Sequence, residues 1–225
     1  MKKLLVSLAA IFVLGLSSAA KADTLTFTPT PVDLNDLDHH SIYTWRVDNV
    51  NLNGKTLTGA RISISNIANW DANANKLFIH LLDTAKASGV SSFIDDPNPN
   101  NTSVTIDDDF VDTRYHNQSG WLVANGTADT FLTAPSFTTT PTNFVYNFTA
   151  AQVQALLTYI SNDGRFALGF DPDCHFFNDG IKFEIFTSNP ATVPEPATMA
   201  LLGTGLAGLY ARRRRQQKSR RSAAA

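Results

Sequence analysis

Cysteine is almost absent. The 225-residue chain has one, Cys174, so no intrachain disulfide can form and the fold must rest on its core or on a metal. Glutamate is nearly as scarce, occurring only at Glu184 and Glu195. Charged residues make up 17% of the chain, so Thr, Ser and Asn must supply most of the polar surface. Basic residues are scarce in the middle: eight lie between Asp23 and Glu195, against all 20 acidic ones, a formal charge of -12. Nucleic acid needs a positive face, so it is excluded as an expected partner. Also missing are G-x-S-x-G, H-E-x-x-H and paired C-x-x-C, and no enzyme is expected. No apolar run reaches the roughly 20 residues of a full membrane span.

Two shorter apolar runs stand at the ends. Lys2-Lys3 precede Leu4–Leu16, and Ala20-Lys21-Ala22 follows with small-x-small spacing. That is a secretory signal (1–22), cut by signal peptidase at Ala20/Ala22 to leave Asp23 first. In an exported chain the single Cys174 reads first as a buried, inert thiol and second as one free to pair between chains. At the other end Pro194-Glu195-Pro196 leads into the apolar segment 197–211, then Arg212, Arg213, Arg214 and Arg215 within the basic stretch 212–225. Arginines stay on the cytoplasmic side, so the segment is expected to anchor the chain transiently in the inner membrane. The prolines predict an extended, protease-accessible segment at Glu195. Gly203, Gly205 and Gly208 fit G-x-G-x-x-G. With no strand before them and no acidic residue after them, they read as small residues of the apolar segment.

This tail, VPEPATMALLGTGLAGLYARRRR, resembles the PEP-CTERM sorting signal, also known as an ice-binding protein C-terminal region. The second name describes only the tail. The resemblance implies cleavage near Pro194-Glu195-Pro196 by exosortase and delivery to the surface of an exopolysaccharide-forming Gram-negative bacterium. LNDLDHHSIYTWRV, NIANWDANANKLFIHLLDT and RFALGFDPDCHFFNDGIKFEI also resemble one recurring type of PEP-CTERM protein. That implies an exported β-sandwich and supplies little function.

The region between the signals, 23–190, reads as mostly β: an antiparallel, jelly-roll-like β-sandwich with one short covering helix. IYTWRVDNV, ARISISNI, RFALGF and IKFEIFT alternate with period two. KLFIHLLD, SVTID, GWLVANG, DTFLTA and NFVYNF are further strands, and Asn53-Gly54 signals a hairpin turn. RFALGF and IKFEIFT flank DPDCHFFNDG and are expected to pair. Thr149-x-x-Gln152 is a capping box that opens a helix with Val153, Leu156, Leu157 and Ile160 on one face, ended by Asn162-Asp163-Gly164.

Candidate chemistry sits in acidic loops. Asp171 and Asp173, with Asp36 or Asp38 from a loop ahead of the first long strand, have the hard oxygens that calcium prefers. Ordinary turn chemistry also collects such residues. His39, His40, His175 and Cys174 have ligand types for zinc without its usual spacing. Asp107, Asp108, Asp109 and Asp112 read as a solvated face. The sequons at Asn101, Asn117, Asn125 and Asn147 read as by-products of a Thr/Asn-rich surface. A sandwich binds sugar by stacking an exposed ring on the sugar's apolar face. Trp45 alternates into the core, Trp121 is undecided, and Trp70, in the polar NWDANAN, is the surface candidate. The expectation is an exported, exosortase-sorted, non-catalytic surface or biofilm-matrix protein associated with exopolysaccharide. The alternative is a secreted hydrolase acting on polysaccharide through an unrecognised pair of carboxylates.

Overall fold

The structure is a computed structural model and describes residues 22–94, 110, 119–190 and 195–222. The chain divides into two compact units, residues 21–189 and a second containing 1–20 and 190–225. In the first unit ten strands form two antiparallel sheets. β1 (Ala22–Phe27), β10 (Gly180–Ser188), β3 (Thr56–Asn69) and β7 (Thr142–Asn147) lie side by side in that order, and the two-residue β9 (Phe176–Phe177) adds to the end of β3. The second sheet runs β5 (Gly89–Ile94), β2 (Ser41–Val47), β8 (Phe166–Pro172), β4 (Leu77–Leu82) and β6 (Asp129–Thr133).

The alternating strands place one apolar face of each sheet against the other. Tyr43, Trp45 and Val47 of β2, Leu168 and Phe170 of β8, Ile62 and Ile64 of β3, and Phe183 and Ile185 of β10 share one core. Helix α1 (Ala150–Asp163) contributes Leu156, Tyr159 and Ile160 to it. The helix starts at the capping box: the Thr149 side chain accepts from the Gln152 N–H, and Gln152 Oε1 accepts from the Thr149 N–H. It stops where Gly164 turns left-handed, φ 77°.

Pairing differs from the expectation in two places. β8 and β10 form no hairpin: β8 pairs with β2 and β4, and β10 with β1 and β3. The DPDCHFFNDG segment crosses between sheets. The reason is burial, because β8 is buried along its whole length and takes a central place with a neighbour on each side. Asn53 and Gly54 do turn, with φ 51° and 73°. Yet the strands they connect, β2 and β3, lie in different sheets.

The outer face of the second sheet explains the all-buried β8. Ile42, Leu82 and Ala167 meet Phe110, Trp121, Leu122 and Val123 in a smaller apolar cluster. The expected GWLVANG strand is therefore no strand; it is a turn-rich cover whose apolar residues lie on this face. At Gly169 an added Cβ would lie 2.7 Å from the Phe110 ring, so only glycine lets the ring approach. Beside it the buried His80 is held by Asp129 at 2.9 Å. The SVTID strand and the Asp107–Asp109 and Asp112 patch lie outside the described residues, as does Ala20 of the signal cleavage site. Ala22 opens β1, opposite Ser188.

The outer face of the first sheet is polar. Arg61 donates to Glu184 through two guanidinium nitrogens, at 2.9 and 2.7 Å, and Lys182 reaches the other carboxylate oxygen at 3.3 Å. Burial works to raise the Glu184 pKa, but the bonds and charges of Arg61 and Lys182 outweigh it and hold the carboxyl below its ordinary value. A carboxyl lowered in the native state adds stability above its unfolded pKa, and that stability is lost as pH falls through the lowered value. Arg61→Ala should therefore move the acid-unfolding midpoint to higher pH, read by circular dichroism. An unchanged midpoint would mean that solvent screens the pair fully.

Candidate functional site

One end of the sandwich carries a surface of unlike parts. β3 ends in Asn69-Trp70, and β9 pairs with it, Ala68 opposite Phe177 and Asn69 opposite Phe176. The Trp70 N–H donates to the His175 carbonyl at 2.9 Å. This short ladder gathers three rings. Trp70 and Phe177 stand 6.1 Å apart, Trp70 and His175 6.2 Å, and His175 and Phe177 4.6 Å. Trp70 is 66% exposed and Phe177 41%. The loop after Trp70 is fixed by its own bonds: Asp71 Oδ1 accepts from the Asn73 N–H and the Asn75 amide, both at 2.9 Å. The backbone that carries the ring is therefore tied on both sides, to His175 before the loop and within the loop after it.

The segment between β1 and β2 supplies the second part. Leu34, Asn35 and Asp36 are all left-handed, with φ 59°, 62° and 57°. That conformation is costly for a residue with a Cβ. It persists because Leu34 and Leu37 are fully buried and Leu37 exchanges two backbone hydrogen bonds with Phe176, at 3.0 and 2.8 Å. The Tyr43 hydroxyl adds a bond to the Asp36 carbonyl at 3.3 Å. Asn178 ties this turn to the crossover: its N–H donates to Asp36 Oδ1 at 3.3 Å and its amide to the Asp33 carbonyl at 2.9 Å. Asn66, also left-handed, donates its amide to Asp179.

Between these parts lies an open cavity of about 790 Å³, lined by Trp70 and Phe177 on the apolar side and by Asp33, Asp36, Asn66, Asn69, Asn178 and Asp179 on the polar side. A second cavity of about 450 Å³ shares Asp179 and continues over Ser63, Ser65, Asn143 and Lys182. Apolar rings facing a set of fixed amides and carboxylates make up a site for a molecule with an apolar face and a hydroxylated rim.

The expected meeting of the first loop and the last connection is real, but its members differ. Asp36 accepts from the Asn178 N–H and lines one cavity with Asp179, not with Asp171 and Asp173. Asp171 is buried within β8. Asp173 Oδ2 accepts from the Lys76 N–H at 3.3 Å, and burial raises its pKa. Asp38 turns onto His40, at 3.0 Å from both the N–H and Nδ1. Burial works to raise the Asp38 pKa, but these bonds and the nearby histidine charges win and lower it. Among the described residues, the one group of three or more His, Cys, Asp or Glu ligand atoms within 4.8 Å of each other is Asp38, His39 and His40. The four aspartates therefore do not make one ligand set. The cause is the sheet-crossing path of the chain, which leaves Asp171 in the second sheet. His175 belongs to the ring cluster, and Cys174 is a half-buried free thiol whose pKa burial raises.

The second unit contains α2 (Glu195–Ser222). Gly203, Gly205 and Gly208 fall inside this helix with open space around each, so no phosphate-binding turn is formed there. A family model, the PEP-CTERM protein-sorting motif, matches residues 192–215. The chain carries a PEP-CTERM sorting motif. The PEP-CTERM motif covers Pro194, Glu195, Pro196 and Arg212 to Arg215, and it implies export and handling by an exosortase. Pro194 lies outside the described residues. Glu195 and Pro196 correct the expectation of an extended segment, because they form the first turn of α2. Proline is tolerated there, where its missing N–H would have no helical partner anyway. Among the described residues, no helix is long and apolar enough to cross a membrane. A search of curated proteins gave no match to the chain.

Trp70 was legible as a surface ring from its polar flanks. Phe177 was missed. The available signal was the Phe176-Phe177 pair itself: on a strand, adjacent side chains take opposite faces, so one of the two must point away from the core.

Proposed function

We propose that the chain is an exported, exosortase-sorted, non-catalytic protein of the cell surface or biofilm matrix, and that the Trp70–Phe177 cleft binds exopolysaccharide. The observation that carries this reading is the exposed pair Trp70 and Phe177 lining one cavity together with amides and carboxylates. The scaffold is read as a jelly-roll-like β-sandwich, supported by the interleaving of early and late strands in both sheets. After removal of the signal peptide (1–22), the tail holds the protein briefly in the inner membrane. Its apolar part, Ala197 to Ala211, spans about 22 Å as a helix, against about 30 Å of hydrocarbon. Arg212 to Arg215 make up part of the difference by extending to the headgroups. Exosortase then cuts the tail and releases the anchor.

Trp70→Ala tests the cleft. Co-sedimentation with the producing cell's exopolysaccharide should weaken by about tenfold or more, since ring stacking and its buried area supply about 1–3 kcal/mol. The melting temperature should stay the same, because Trp70 is mostly exposed. Unchanged binding would remove the cleft from the proposal. Calcium stabilisation, expected for the aspartate loops, is tested by running the same assay in calcium and in chelator; equal melting temperatures would remove it. One observation favours the hydrolase reading: Asp33, Asp36 and Asp179 converge on the same cavity. Release of new reducing ends from the polysaccharide, lost in Asp36→Asn, would replace binding with catalysis.

A further inference from the structure

The cleft is charged on one side only. Asp33, Asp36 and Asp179 line it, and among the described residues no lysine, arginine or histidine does. The hydrogen bonds these carboxylates accept come from neutral donors, the N–H groups of Asn35 and Asn178 and the amide of Asn66. Several other carboxylates of the domain have a cation: Asp23 with Lys55, Asp48 with Arg46, Asp163 with Arg165, and Glu184 with Arg61 and Lys182. Asp71 and Asp83 have neutral amide partners, but neither lines the cleft. Among the described residues, the three carboxylates of the cleft have no such ion pair. The exposed Trp70 stands beside them.

We infer that the cleft selects a glycan bearing free amines, a partly or fully deacetylated hexosamine polymer, over neutral and uronic-acid polymers. This rests on the glycan-binding reading above and names its ligand class. The sugar's apolar face covers Trp70 and Phe177, as any hexose would. A protonated amine on the ring edge then finds what this cleft has and a neutral-sugar site does not need. Three uncompensated carboxylates accept charge-assisted hydrogen bonds from it, and the indole face attracts the cation directly. A uronate in the same place meets three like charges and, among the described residues of the cleft wall, no cation. The shared edge at Asp179 lets the polymer continue over Ser63, Ser65 and Asn143, where hydroxyls and amides suit its remaining polar groups; Lys182 also lines this second cavity, its charge matched by Glu184 at 3.3 Å.

The test uses the full chain and calorimetric titration in chelator, at a pH where the sugar amines are protonated. The probes are a β-linked glucosamine hexamer, its fully N-acetylated counterpart and a uronate hexamer. The free-amine hexamer should bind about tenfold or more tightly than the acetylated one, as expected for a few screened charge contacts. The uronate should not bind. The preference should shrink in high salt, which screens it. Asp33→Asn and Asp179→Asn, both isosteric changes, should reduce the preference, the free-amine hexamer losing more affinity than the acetylated one. Equal or tighter binding of the acetylated or uronate hexamer would overturn this inference and keep the glycan reading. Binding of none of the three would overturn the glycan reading as well. A lysine hexamer that binds as well as the free-amine sugar would reassign the cleft to cationic peptides.

Discussion

Phe183→Ala is expected to cost about 3–5 kcal/mol of folding stability. The ring is fully buried on β10 and faces Phe166 of β8 at 5.1 Å and Phe148 at 5.5 Å. Phe166 in turn meets Phe27 of β1 edge-on at 6.2 Å. Phe183 thus stands where the two sheets meet, and its removal leaves a cavity between layers that cannot collapse without moving a whole sheet. With a total stability of about 5–15 kcal/mol, the variant sits near the threshold of folding. Urea denaturation read by tryptophan fluorescence gives the loss directly. A loss under about 1 kcal/mol would mean that the sheets close onto the gap freely.

Gln152→Ala comes next, at about 2–4 kcal/mol. Gln152 is polar and 8% exposed, and it uses both ends of its amide. Oε1 accepts from the Thr149 N–H at 2.9 Å and the Tyr146 hydroxyl at 3.0 Å. Nε2 donates to the carbonyls of Phe131 and Leu132, at 3.1 and 3.2 Å. Tyr146 belongs to the first sheet, and Phe131 and Leu132 to the second, so one side chain joins α1 to both. Alanine deletes the bonds and leaves buried donors and acceptors without partners, which costs more than the bonds are worth. Gln152→Glu should be at least as costly at neutral pH, because a carboxylate would face two carbonyl oxygens with no proton to give. Chemical denaturation of the two variants decides this. A glutamate variant as stable as the native protein would show that water reaches the site.

Local features were legible because their causes are local. The capping box at Thr149 and Gln152, the left-handed Asn53-Gly54 turn and the alternation that buries Trp45 all follow from nearest neighbours along the chain. Pairing was not legible. Nothing within RFALGF or IKFEIFT tells that each takes partners in a different sheet, since alternation fixes a face and leaves the neighbour open. GWLVANG carries the same ambiguity: a short apolar run fits a strand or an apolar cover, and the cover won because Phe110 and Gly169 open the outer face of β8. In the cleft, Trp70 and Asp36 could be singled out from their flanking residues. Phe177 and Asp179 depend on β9 joining β3, a long-range contact. The four aspartates stand apart for an equally long-range cause, the crossing path that leaves Asp171 in the second sheet.

β1 and β10 run antiparallel, with Ala22 opposite Ser188 at one end and Phe27 opposite Phe183 further on. The Asp33–Asp36 turn and Gly180 lie past the other end of this pair, joined by the Ile181 N–H to the Val32 carbonyl. Gly180 and Ser188 are thus about 27 Å apart along β10. The domain consequently has a stem and a tip. The chain enters and leaves at the stem through two neighbouring strands, and the cleft sits at the tip. Pulling on either end would load β1 and β10 first and leave the tip undistorted.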